Sequence, residues 1–184
     1  MSILIVVGII LIIGVFCITS YNGLVGLSAR VEEAFSTMDV YLKKRYDLIP
    51  NLVATVKGYA AHEKSTFEEI TKARASVANC ESVESKMEAE AGLTKTLKTL
   101  FAVAENYPEL KANTNFLDLQ EQLKVIENDI ANSRKYYNAI VREYNIAIRV
   151  FPKNIIASIF KFEKKPMFTV DEEAERKNVK VSFD

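Results

Sequence analysis

The chain has 184 residues, 49% of them apolar and 26% charged, with Lys plus Arg equal to Asp plus Glu at 24 each, which leaves room for one compact domain and one anchoring segment. Zero net charge supplies no overall field to gather nucleic acid or an acidic substrate, and Cys17 and Cys80 stand in neither a CxxC nor a metal-like spacing. With no Trp, six Gly and four Pro, the composition argues against long irregular loops and for helices.

From Ser2 to Ala29 no side chain carries a charge, and Ile3 to Ile18 is almost wholly Ile, Leu, Val and Phe. Thirteen such residues contribute roughly 4 to 8 kcal/mol of insertion free energy near a bilayer centre. Extending the run to Tyr21 reaches the ~20 residues needed to cross, with the tyrosine at headgroup level. A cleaved signal peptide fits poorly, since no Lys or Arg precedes the run and no clean small-x-small site follows it. Lipoprotein processing at Cys17 is disfavoured by Val15 and Phe16 just ahead. Arg30, then Lys43, Lys44 and Arg45, place positive charge on the C-terminal side, so the expected topology is a single pass through the cell membrane, N-terminus outside and body cytoplasmic. The expected division is an anchor over 1–29, a helical bundle over 30–165 and a tail over 166–184.

The first body helix is expected to continue out of the anchor from Arg30 to Val77. Val31, Phe35, Met38, Leu42, Tyr46, Ile49, Val53, Val56 and Ala60 recur at steps of three and four, and Phe67 and Ile70 prolong the line. Pro50 removes an N–H and crowds the carbonyl of Tyr46, yet the seam keeps its register across it, which predicts a kinked helix rather than a stop. Glu63 and Arg74 fall on the line and are expected to reach out to solvent at a bundle edge. Ser85 with Glu88 reads as a capping box opening a second helix, whose seam is Leu93, Leu97, Leu100, Ala104 and Tyr107. After a turn from Pro108, Asn113 or Asn115 caps a third helix, patterned from Phe116 to Phe151 and ended by Pro152. Three long helices of this kind predict an all-α, antiparallel, left-handed bundle. Because the second helix is about half as long as the first, part of the first is left for the C-terminal residues or another copy to cover. A short amphipathic piece, Asn154 to Phe162, is expected to cap the end of the bundle far from the anchor, with contact to a membrane surface as the alternative. The closing VKVSF alternates like an extended segment.

Several stretches resemble one family closely: LKKRYDLIPNLV (Leu42 to Val53), VKGYAAHE (Val56 to Glu63), TKAR (Thr71 to Arg74), YPELKAN (Tyr107 to Asn113), NFLDLQEQL (Asn115 to Leu123) and RKYYNAIVREYN (Arg134 to Asn145). Together, in this order, they are similar to the signature of the LemA family of bacterial membrane proteins, from about Tyr21 to the final VSF. Phe35 and Tyr41 stand where the family often has Trp and Gln. The resemblance implies an N-terminal anchor and an all-helical bundle, and it implies no particular chemistry, because the family has no established biochemical activity.

The residues themselves argue in the same direction. His62, the single histidine, begins a zinc-protease-like pair with Glu63, but the second ligand position is Thr66. It also has no nucleophile beside it, so an ordinary polar helix residue is expected. The six glycines form no phosphate loop. Lys43, Lys44 and Arg45 spread round the helix between Asp39 and Asp47, a solvated face rather than a nucleic-acid surface. Arg45, Asp47, Pro50 and Asn51 lie within two turns, and Asn138, Arg142 and Asn145 share one side of the third helix. These seven are the candidate polar sites, either fixing helix pairing or docking a partner. The expected function is a non-enzymatic, membrane-anchored scaffold with no cofactor or metal and no nucleic acid, its expected partners being the bilayer, an unidentified protein and further copies of itself. The alternative is a membrane-organising protein acting through self-association or lipid-surface contact.

Overall fold

The uncharged run and the seam after it form a single helix, α1 (Ser2–Tyr59), in the computed structural model, which describes residues 1–168. It passes unbroken through Pro50, whose side chain lies on the exposed face, where a missing N–H leaves no buried group unpaired. The buried line of its body half runs through Met38, Leu42, Arg45, Ile49, Leu52 and Val56. Tyr46 and Val53, the expected seam positions, are only half-buried beside it. An amphipathic tyrosine imitates a seam residue in sequence, and the true line puts an arginine in the core.

The first body helix does not continue to Val77. The chain turns at Ala60–Glu63 and restarts as α2 (Lys64–Ala78), so His62 sits in a turn and not on a helix. Ala60 and Phe67 are both buried, and their seven-residue spacing is what lets an apolar line cross a turn unnoticed. Glu63 accepts a hydrogen bond from the Tyr107 hydroxyl at 3.2 Å, and Arg74 stacks 4.0 Å above the Tyr46 ring, so both charges on that line are tied to neighbours.

The next helix, α3 (Val83–Ala104), starts earlier than expected. Ser82 is its N-cap, and Ser85 is the reciprocal partner in the capping box, with no part for Glu88. A single turn, α4 (Pro108–Lys111), carries its proline at the first position. Asn113 then accepts from the Phe116 amide at 3.0 Å to cap α5 (Thr114–Ala147), which ends before Pro152. Pro152 opens α6 (Lys153–Ile159) instead.

Cross-links fix the directions. Arg30 meets Glu143, Arg45 meets Glu127 and Tyr59 meets Asn113: ascending α1 is descending α5. In contrast Asp39 pairs with Lys86, Arg45 with Glu90, and Glu63 with Tyr107, so α3 ascends with α1, and α2 descends between them. The extra turn at Ala60–Glu63 therefore reverses the expected outcome at the other end. The last long helix returns to the apolar N-terminal part of α1, where α6 packs Ile156 and Ala157 on Leu24 with Cys17 alongside. It also answers the question of cover, because α2 and α3 lie over the part of α1 that a single short helix would leave bare.

Two apolar clusters make up the body. One joins Ile49, Leu52 and Val56 to Ile70, Leu93 and Leu97, and the other joins Val31, Met38 and Leu42 to Ile130, Tyr137 and Tyr144. Each fully buried aliphatic side chain contributes about 1.5–3 kcal/mol. Arg45 lies between the two. The apolar N-terminal part of α1 is long enough to cross a membrane, and none of its most apolar window is buried.

Candidate functional site

The seam position that separates the two clusters carries a charge. Arg45 is 1% exposed and Glu90, facing it from α3, 0%. The guanidinium donates through Nη2 to Glu90 Oε2, through Nη1 to Glu127 Oε1 on α5 at 2.8 Å, and to Thr94 Oγ1 at 3.0 Å. Burial opposes its charge, but attraction from Glu90 and Glu127 outweighs that and raises its pKa. Arg134, from α5, completes the layer. Burial and the neighbouring charge of Arg45 lower its pKa, partly offset by Glu127 and Glu90. Two cations thus face two carboxylates, tying α1, α3 and α5 at one height. Arg45 Nε, Arg134 Nε and Glu90 Oε1 have no hydrogen-bond partner among the described residues.

A second polar array lies on the anchor side of this layer. Tyr137 and Asn138 recur one heptad later as Tyr144 and Asn145, and all four hold the extended segment that follows α6. Asn145 exchanges two hydrogen bonds with the backbone of Lys165, at 2.8 and 2.9 Å, and Asn138 two with that of Phe168, at 2.8 Å each. Tyr144 donates to the Glu163 carbonyl and Tyr137 to that of Pro166, both at 3.0 Å. The register has a simple cause: seven helical residues rise about 10.5 Å, and three extended residues span about 10 Å. Carboxamides suit the task because each offers one donor and one acceptor, the complement of a peptide unit. The tyrosine hydroxyls are held neutral. Burial, reinforced by Glu84, pushes Tyr137 up to about 12, and burial with Glu163 and Glu32 raises Tyr144. Phe168 joins the two arrays, its ring edge-on to Tyr137 and under Arg134 at 4.9 Å.

Of the seven candidate positions, three are engaged in this way: Arg45, Asn138 and Asn145. The other four are exposed. Among the described residues Asp47 pairs only with Lys43, one turn back at 3.1 Å, and a carboxylate has no proton to give the carbonyl freed by Pro50. Glu90, Glu127, Thr94 and Arg134 escaped the sequence reading, although Glu90 lies on the line of Leu93 and Leu97, and Glu127 between Leu123 and Ile130. A carboxylate on an apolar line was the available signal. The expected extended VKVSF lies outside the described residues. Among the described residues, no group of three His, Cys, Asp or Glu is placed to hold a metal.

Comparison with known proteins gives a consistent picture. The model of the LemA family matches residues 34–183. Magnetosome protein MamQ 2 of Paramagnetospirillum magneticum is 26% identical over 174 residues, covering 80% of this chain and 64% of the relative. Magnetosome protein MamQ of Magnetospirillum gryphiswaldense is 24% identical over the same length. Protein LemA of Metamycoplasma hominis is 26% identical over 152 residues, 80% of this chain and 69% of that protein. The chain thus spans a little under two thirds of the magnetosome relatives.

Proposed function

The chain belongs to the LemA family, and from that premise we propose that it is a single-pass, membrane-anchored, non-enzymatic scaffold whose helices form a left-handed antiparallel bundle on the cytoplasmic face. The observation that carries this reading is α1 itself. One unbroken helix has a most apolar window that none of the described residues buries and a body half buried along a continuous seam. Ser2 to Tyr21 rises about 29 Å, the thickness of a hydrocarbon core. The likeness to the magnetosome and LemA proteins supports membrane association alongside it. A scaffold rather than a catalyst is favoured by the polar groups: Arg45 is committed to two carboxylates, and the buried tyrosines are held protonated. Such groups fix a shape; they are not poised to move a proton near neutral pH. The partners are the bilayer, an unidentified protein and further copies of the chain.

Alkaline carbonate washing and protease treatment of intact cells test the reading. The chain stays with the membrane, and its body is cut only once the membrane is opened. Release by carbonate overturns the anchor, and digestion in intact cells overturns the orientation. Crosslinking in the same membranes distinguishes a protein partner from a second copy.

A second reading, a membrane-organising role, is favoured by one specific observation. The α6 region returns to the anchor with Phe151, Ile155, Ile159 and Phe160 exposed. Deformation of vesicles at rising protein-to-lipid ratio supports it, and unaltered vesicles at saturating ratio count against it.

A further inference from the structure

Where α1 leaves its apolar stretch, the end of α6 and the segment after it form a cleft of about 640 Å³ against α1. Its apolar wall is Tyr21, Val25 and Phe160, and its polar rim is Lys161, Lys164 and Lys165 with Glu32 and Glu163. Three features bear on what it holds.

The first is depth. Tyr21 stacks on Phe160 with ring centroids 4.6 Å apart, and the α6 cluster reaches down to Cys17. Cys17 lies about 6 Å below Tyr21 along a helix, within the 5–10 Å that an interfacial helix sinks into a bilayer. The exposed Ile155, Ile159 and Phe160 then meet lipid, and the lysines sit at the level of phosphates.

The second is charge. Glu32 is already engaged, by Lys165 at 3.2 Å and Ser28 at 3.3 Å. Lys161 and Lys164 are exposed and have no ion-pair partner among the described residues.

The third is strain. α6 ends in a Schellman turn, with the Phe162 amide bonded to the Ala157 carbonyl at 2.9 Å and the Lys161 amide to that of Ser158 at 3.3 Å. Lys161 takes the left-handed position, φ 55°, where glycine has no steric penalty and lysine does. A long cation in a place that favours glycine, lining a cleft, points to a use for the side chain.

We propose that this cleft binds the headgroup of an anionic phospholipid of the bilayer. Lys161 and Lys164 bind the headgroup phosphate, while Tyr21, Val25 and Phe160 pack against the glycerol and the first acyl carbons. The inference rests on the anchored reading above. It adds a lipid class and a site, which a bare transmembrane helix does not require.

The test uses the full chain. Flotation on vesicles of pure phosphatidylcholine reports the anchor alone. Native mass spectrometry after equilibration with equal phosphatidylglycerol and phosphatidylcholine reports the headgroup. The chain floats on both kinds of vesicle and retains phosphatidylglycerol in preference, with each lysine contributing about fivefold, as expected for a cation near an anionic surface. Lys161→Gly keeps the turn and relieves its strain, so it melts no lower than the parent. Combined with Lys164→Gln, it brings the retention ratio close to one. Equal retention by the parent, or an unchanged ratio in the double variant, overturns the headgroup site and leaves the anchor standing. Displacement of the lipid by millimolar inorganic phosphate means that the lysines read a soluble anion, which also overturns it. No flotation on any vesicle overturns the anchor, and the headgroup site with it.

Discussion

The layer around Arg45 and the ladder from Tyr137 to Asn145 are polar arrays that both involve α5, and they hold their partners by opposite means. The layer uses full charges, Arg45 and Glu90 out of water and Glu127 at the partly exposed edge, to tie three helices at one height. The ladder uses neutral amides and hydroxyls to bind backbone, without reading which side chains the bound segment carries. Charges removed from water are stable only as a balanced set, so the layer is sensitive to one-sided change. Neutral hydrogen bonds are each modest and separable, so the ladder loses strength by steps.

The sharpest test of that contrast is Arg45→Ala, which strands Glu90 without its partner and is expected to lose about 3–5 kcal/mol in denaturant unfolding of the full chain in detergent. Replacing Arg45 by Met together with Glu90 by Leu is expected to be near neutral. A large loss in that pair as well would mean that the layer supplies net stability and not chiefly helix register. On the ladder, Asn145→Ala is expected to remove about 1–3 kcal/mol and to speed amide exchange of Lys165 while leaving that of Leu93 unchanged. Loss of protection at both places would erase the distinction between the two arrays.

The sequence pattern showed the long apolar stretch, the continuity through Pro50 and a cap at Asn113 or Asn115, because each is a local matter of apolarity, register or one side chain's reach. It did not show the turn at Ala60–Glu63, since Ala60 and Phe67 stay in register across it. From that one omission followed the wrong end for α6. Asn138 and Asn145 stood out by their spacing, but their partner is peptide backbone, which every segment of the chain offers equally. Glu90 was legible in principle, as a carboxylate on a leucine line. Its pairing with Arg45 was hidden because Tyr46, one position along, fits the seam equally well in sequence.

Titration separates the arrays next. Tyr137 is raised from an ordinary value of 10.0 to about 12 in the fold. The unfolded chain therefore releases that proton first as pH rises, and the contribution is complete below pH 10 and lost on passing toward 12. The expected loss is on the order of 1–2 kcal/mol, and Tyr137→Phe should flatten this part of the profile; an equal slope in the variant assigns the loss to other groups. In the layer, by contrast, Glu90 and Glu127 hold Arg45 charged. The smallest effect belongs to the exposed turn beside Pro50. Asp47→Ala breaks an exposed i, i+4 pair with Lys43 and should shift stability by about 0.5 kcal/mol or less. A loss of several kcal/mol, or loss of a crosslinked partner, would return that face to the functional map.

The unbroken course of α1 also has a mechanical side. From Tyr21 to Ile49, before Pro50, the helix is a lever arm of about 42 Å without an interruption. Where a bilayer grips its apolar end, a change of tilt by about 10°, well within the range that membrane thickness imposes, displaces the neighbourhood of Ile49 sideways by about 7 Å. In such a bilayer, thickness would set the position of a surface some 40 Å away.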